Sequence, residues 1–371
     1  MPHGDGFVRN SKEPQPTVPL SDRENYLRTA SLTGGEWIPA WVGISDASWV
    51  QWREEMEAVV ARHPLFWPSF KPGGRDFDHW DFGAGRGPGE RFSDNWGCAW
   101  DHAWGGIEGQ VVGHPLADWS ALDAYQPPDP LTQSGRPGPA DWEAARRRVE
   151  EARQKGALAG GGLEHGFFLM RLTYLRGFEN LMADLAAGAP ELPRLIEMVG
   201  GFSQVVVGKW LEMGVDQVTF GEDLGAQTAS VISPAMLRQW VAPTYRALMR
   251  PCREAGAHVY LHSDGYIMQL VDDLLECGVT ILNPQDLCNG IDDLAKEVKG
   301  RVCIALDIDR QQVVPFGTPR EIRELIRQEV MKLGSARGGL MFVCGIYPPT
   351  PPQNVDAVCS ALEEFRTYWW R

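Results

Sequence analysis

The sequence predicts an α/β chain built as a (β/α)8 TIM barrel with an N-terminal helical and irregular extension. Three observations carry that expectation. From about residue 156 onward, short apolar runs alternate with amphipathic stretches, the pattern of parallel strands joined by helical crossovers. Two of the runs stop at residue types that ligate metals, followed by glycine: His262-Ser-Asp264-Gly265 and Cys344-Gly345. Chemistry in a barrel sits at the C-terminal ends of its strands. Finally, no G-x-G-x-x-G follows the first run, which weakens an open nucleotide-binding sheet.

Each element has its own warrant. Residues 1 to about 25 are polar, with Pro14, Pro16 and Pro19, and read as a loose arm. Residues 26–150 are rich in Trp, Gly, Pro and Asp; within them Trp49, Trp52, Met56 and Val59 recur at helical spacing, so a helix is expected over 47–62. A Pro/Gly connector at 126–139 leads into a charged, exposed helix at 140–155. Residues 1–150 are therefore taken as an extension packed on a barrel core at 151–371. The core's apolar runs are 163–170, 217–220, 257–262, 279–282, 302–308 and 340–343, and helices are expected at 187–213, 234–255, 267–277, 290–298 and 319–333. Ser233-Pro234 and Thr318-Pro319 pair a capping side chain with proline in the first turn. Six runs fall short of eight strands, so one or two more are expected before Gly156 or within 170–215.

Composition narrows the function. The net charge of -14 (35 basic, 49 acidic) argues against binding nucleic acid through its phosphates. Seven cysteines without a C-x-x-C pair fit reduced thiols in a cytoplasmic protein rather than a disulfide framework. No run approaches about 18 apolar residues, so no membrane span is expected, and the N-terminus lacks the apolar core of a signal peptide.

The candidate site residues cluster at strand ends. Residues two apart on a strand face one side, so His262 and Asp264 can point at one spot, and Cys344 can join them if the fold brings the two strand ends together. The competing reading is a buried histidine, a turn-forming Asp-Gly and a core thiol. Glu222 and Asp223 end another run and read as acid catalysts or as partners of neighbouring backbone. Asn283 and Gln285, like Asp307 and Asp309, either contact substrate or close a strand–helix turn. His165 could line the pocket, and Tyr260 shares the His262 face and could touch substrate or fill the barrel. Many of the 15 Trp precede residue 120, and they either wall a pocket for an aromatic or quaternary-amine group or pack the fold.

An ordered set of segments resembles the uroporphyrinogen decarboxylase superfamily, over about residues 90–370: Phe220-Gly-Glu222-Asp223-Leu-Gly225, Ile232-Ser-Pro234, Leu261-His-Ser-Asp-Gly265, Ile281-Leu-Asn283-Pro284-Gln285, Leu306-Asp-Ile-Asp309, Pro315-Phe-Gly-Thr-Pro319, Gly338-Gly339 and Cys344-Gly-Ile-Tyr-Pro348. More narrowly the set is similar to the corrinoid-linked methyltransferase branch. The resemblance implies a TIM barrel and zinc held by a His-x-Cys pair and a later Cys. His262 and Cys344 match that pattern, Asp264 stands where the middle Cys would be, and Glu222 matches an acidic position that ligates or supports zinc. The Arg-rich propionate grip of true decarboxylases has no counterpart among Arg23, Arg28 and Arg53.

Moving a methyl group to Co(I) is a nucleophilic substitution in which the leaving group is the difficulty. A Lewis acid can stabilise a departing oxygen. A carboxylate in place of a thiolate makes zinc harder and better suited to oxygen. The expectation is a zinc-dependent methyltransferase taking a methyl group from a small donor, a methoxylated aromatic first, to cobalamin on a corrinoid protein. No Asp-x-His-x-x-Gly run for a corrinoid module occurs in this chain, so the corrinoid is expected on a partner. A decarboxylase and a catalytically silent ligand-binding barrel are the alternatives.

Overall fold

The computed structural model describes residues 19–83, 86–107 and 109–370. Its centre is a curled sheet of seven parallel strands: β1 (Ala40–Ile44), β5 (Gly160–His165), β6 (Gln217–Glu222), β7 (His258–Ser263), β8 (Ile281–Pro284), β9 (Cys303–Asp307) and β10 (Leu340–Ile346), in the order β1-β10-β9-β8-β7-β6-β5. A small antiparallel sheet, β2 (Arg91–Ser93), β3 (Ala99–Asp101) and β4 (Gln110–Gly113), lies apart from it. The architecture is the expected barrel type. Eight strands were expected; among the described residues the sheet has seven, and β1 and β5 are its two edges. The sought additional strand is β1, which comes from the N-terminal 150 residues and pairs in parallel with β10. The segment read as an extension thus supplies one barrel wall.

The crossovers form where the sequence placed them. Leu192–Met213, Ala242–Glu254, Val271–Cys277, Ile291–Glu297 and Pro319–Leu333 are helices. Ser233 and Thr318 each accept a backbone N–H three residues on, which satisfies donors that a helix start leaves unpaired. Trp142–Gln154 and Asp46–Arg62 match the two earlier expectations, the latter interrupted at Arg53. The arm expected over residues 1–25 lies mostly outside the described residues, and its end is helical. Asp22–Ala30 is a helix because Ser21 and Glu24 form a reciprocal capping box.

Strand alternation sorts every side chain into one of two layers. Val218, Phe220, Val259, Leu261, Leu282, Ile304, Leu306, Phe342, Cys344 and Ile346 join the large apolar cluster shared with the helices. Ile281, Cys303, Ala305 and Met341, with Tyr260 and Val343 against them, form a second cluster inside the barrel. Two networks of buried charge hold the periphery. Arg171 donates to Asp94 at 2.6 Å and to Glu164 at 2.9 Å, tying the N-terminal segment to β5. Glu329, fully buried on the helix Pro319–Leu333, faces the buried Asp286. Burial pushes the Glu329 carboxyl well above its ordinary range, and the acidic neighbour adds to this. Two facing carboxylates cannot both ionise cheaply out of water, so one carries the proton that joins them.

Two outcomes follow. Replacing Arg171 by Met leaves Asp94 and Glu164 buried without their cation, and the chain should lose about 3–5 kcal/mol in denaturant unfolding. Glu329→Gln should raise stability relative to wild type more at pH 8 than at pH 5. The folded state keeps a proton that an unfolded Glu releases near pH 4.5. Wild-type stability therefore falls with rising pH, by up to about 1.4 kcal/mol per pH unit above that point, and the amide removes this slope. Parallel pH profiles of the two proteins would contradict it.

Candidate active site at the barrel mouth

The C-terminal strand ends converge a set of polar side chains whose placement follows from register. His165 pairs with Gly221, Gly221 with His262, and His262 with Asn283, so these residues share one layer of the barrel. One pleat further on lie Asp223, Asp264, Gln285 and Asp307, the last two bridged to each other. Two groups of metal-ligating side chains have their ligand atoms within 4.8 Å of one another: His165, Asp223 and His262, and His262, Asp264 and Asp307. His262 belongs to both.

The orientation of His262 is fixed from below. Asn283 donates its amide to the Ala305 carbonyl at 2.5 Å, which turns its oxygen toward His262 Nδ1 at 2.7 Å. The imidazole must therefore carry a proton on Nδ1, leaving Nε2 toward the mouth, 3.3 Å from Asp264 Oδ1. On the opposite side His165 Nε2 lies 3.2 Å from Asp223 Oδ1. Arg310 spans two carboxylates through one nitrogen, at 2.5 Å from Asp264 and 2.7 Å from Asp307. The loop carrying Asp264 is pinned because Gly265, at φ 78°, packs against Gly225; a Cβ there would sit 2.1 Å from the Gly225 carbonyl oxygen. Gln285 accepts the Gly265 N–H at 2.9 Å.

Electrostatics follow from this packing. Burial alone would lower the His262 pKa, but the Asp264 bond, the Asp264 and Asp307 charges and the Asn283 bond together raise it. Burial works against the Asp264 carboxylate, yet His262 and Arg310 hold it below its ordinary value. Asp307 shares the same guanidinium and still moves to about 6, because its side chain is only 5% exposed against 39% for Asp264 and the cost of burial wins. Two carboxylates thus share one guanidinium.

Of the residues expected from sequence, His262, Asp264, His165 and Asp223 meet at this mouth. Asn283 and Gln285 are there too, as supports of His262 and of the Asp264 loop. Tyr260 packs in the barrel interior, one layer below His262. Two members of the expected metal set are elsewhere. Cys344 points to the helix layer, in one cluster with Val358 and Cys359, and burial holds its thiol well above the ordinary value. Residues 343 and 345 hold the inward positions of β10, so the strand's period turns residue 344 out. Glu222 lies on the outward face of β6 with Phe220, fully buried. Its carboxylate accepts the backbone N–H groups of Phe168 at 2.5 Å and Met170 at 3.1 Å. Burial moves it to about 7 against those two bonds. It thus braces the loop behind His165. The residues that sequence reasoning undervalued are Asp307 and Arg310. A carboxylate at the end of an apolar run, with Arg three residues on, was the available signal.

The converging set also fits a metal. Two imidazoles and a carboxylate, with further carboxylates beside them and an excess of negative charge, are the donor chemistry of a zinc-type cation. Of the two groups, His165–Asp223–His262 has carboxylate and imidazole atoms facing the opening, whereas Arg310 already neutralises Asp264 and Asp307.

A solved structure of similar architecture supports the fold. A methyltransferase from Methanosarcina mazei superposes over 92% of this chain and 98% of its own length, with TM-score 0.60 and 16% identity. A D-psicose 3-epimerase aligns over 62% of this chain and 76% of its own at 10% identity and TM-score 0.34. A xylose isomerase-like TIM barrel protein from Mycobacterium smegmatis covers 62% and 91% at 12% identity and TM-score 0.31. No curated protein matches the chain in sequence. No helix among the described residues is long and apolar enough to cross a membrane. The family model for uroporphyrinogen decarboxylase (URO-D) matches residues 97–365, and the chain belongs to that family.

Proposed function

We propose that this chain is a metal-dependent methyltransferase that takes an oxygen-linked methyl group from a small donor and passes it to the cobalt of a corrinoid carried by a separate protein. The observation that carries the reading is the mouth itself: two histidines and three aspartates converge there, with one guanidinium to offset them. Such a site calls for a cation. The Methanosarcina mazei neighbour bears the name methyltransferase, which agrees with this reading. The decarboxylase alternative needs free positive charge for a substrate's carboxylates, and Arg310 is already held by two aspartates.

His165, Asp223 and His262 would hold the metal, and zinc in that position would act as a Lewis acid toward the departing oxygen. The chain's own residues do the remainder. Asn283 keeps the His262 proton on Nδ1 and so keeps Nε2 available. Arg310 holds Asp264 and Asp307 at fixed positions and screens their mutual repulsion. Glu222 secures the turn that carries His165 toward the mouth. The acceptor cobalt has to approach from outside, over the strand ends, where the polar cluster is open to solvent.

Elemental analysis of the purified chain should find about one zinc, and His262→Ala should abolish it together with methyl transfer to an added corrinoid protein. Asn283→Ala should weaken metal affinity by about 10- to 100-fold, since it removes the group that orients a ligand. Cys344→Ala should keep its zinc. Loss of zinc in the Cys344 variant, with the fold intact by circular dichroism, would restore the thiol to the ligand set and refute the assignment made here. A folded, zinc-supplemented wild type with no bound zinc would remove the metal-dependent mechanism altogether.

A further inference from the structure

The two edges of the sheet, β1 and β5, begin beside a cavity of about 270 Å³, near the lower end of ligand-sized pockets. It lies at the N-terminal ends of these strands, away from the histidines. Its walls come from distant parts of the chain: Trp37 and Ile38 before β1, Leu65 and Phe66, Leu158 before β5, and Leu362 on the helix Pro352–Phe365. Ile38 and Leu362 are buried, whereas Leu65 stays 41% exposed.

One charged group in this wall lacks a partner. Arg366 directly follows the helix Pro352–Phe365 and is half-buried, with its guanidinium 4.7 Å from the centre of the Trp37 ring. Among the described residues no oxygen accepts a hydrogen bond from that guanidinium, and no carboxylate lies within ion-pair distance of it. An arginine keeps its charge in a protein, so the cost of burial is not relieved by losing a proton. Burial draws the Arg366 pKa below its ordinary value, and only the charge of Asp22 acts the other way. The other arginine of the cavity, Arg23, is already held by Asp216 through bonds of 2.9 and 2.6 Å.

We propose that this cavity is a binding site for a small monocarboxylate with an apolar body, its carboxylate on Arg366 and its body against Trp37, Phe66 and Leu362. The planar guanidinium fork matches a carboxylate with two parallel bonds. One unpaired positive charge also calls for one negative charge. Inorganic phosphate would bring a strongly hydrated anion against apolar walls, and it would face the Asp22 carboxylate in the same cavity. An alcohol of the same shape would leave the guanidinium unpaired. The site shares no residue with the metal-ligating groups at the mouth, so it stands apart from the methyl-transfer reading.

Calorimetric titration with hexanoate, hexanol and inorganic phosphate tests the site. The full chain is compared with Arg366→Gln, Phe66→Ala, Asp22→Asn and His262→Ala, each first checked for an unchanged melting temperature. Hexanoate should bind wild type, and hexanol and phosphate should bind at least about tenfold more weakly. Arg366→Gln should weaken hexanoate about tenfold, and Phe66→Ala should weaken it through lost apolar contact. Asp22→Asn should tighten it, because a like charge is removed. His262→Ala should bind hexanoate as wild type does, which separates this site from a carboxylate ligating metal at the mouth. Absence of hexanoate binding, equal binding of hexanol or a preference for phosphate overturns the proposal. So does hexanoate binding that survives Arg366→Gln and disappears in His262→Ala. If Arg366→Gln melts early, Asp22→Asn decides: unchanged or weaker hexanoate binding there overturns the site.

Discussion

The parallel register of the seven strands is the constraint from which the mouth is built. Each pairing fixes which residues share a layer, and the two-residue period then decides which side chains look inward. His165, His262 and Asn283 fall in one layer through Gly221. The aspartates and Trp41 fall in the next. A slip of one residue in β7 would send His262 and Asp264 into the helix layer and bring Leu261 and Ser263 to the mouth. The apolar helix-facing set on β6, β7, β9 and β10 opposes such a slip, because it would bury the polar set instead.

Charge at the mouth is imbalanced in a way that the rest of the molecule avoids. Elsewhere the buried carboxylates have a counter-ion, a shared proton or backbone donors, as with Arg171 between Asp94 and Glu164, Glu329 against Asp286, or Glu222 on the N–H groups of Phe168 and Met170. At the strand ends Arg310 meets only part of the acidic charge. An uncompensated cluster costs stability, and proteins tolerate that cost chiefly at sites that bind something. Asp264 stays ionised while Asp307, 5% exposed against 39%, is held closer to neutrality because burial costs its charge more.

The N-terminal segment is more than a cover. It gives the sheet its edge strand β1, and through Asp94 it anchors the helix that begins beneath Glu222. It also brings Trp41 to the wall facing the histidines.

Local sequence determined the crossover helices and their starts, because caps, proline at the first turn and helical spacing act within a few residues. The resemblance and the strand–helix alternation together gave the barrel. The pairing of His262 with Asp264 was legible as well, since both lie on one strand and the period of two is a local rule. The fate of Cys344 and Glu222 was not. Each ends an apolar run and has the chemistry of a ligand, and only the register of β10 and β6 within the curled sheet turns them outward. Nor could the sequence announce β1, a five-residue strand inside a Trp- and Gly-rich stretch, or the pairing of Trp41 with Val343. Those depend on contacts between residues some three hundred positions apart, which tertiary structure alone brings together.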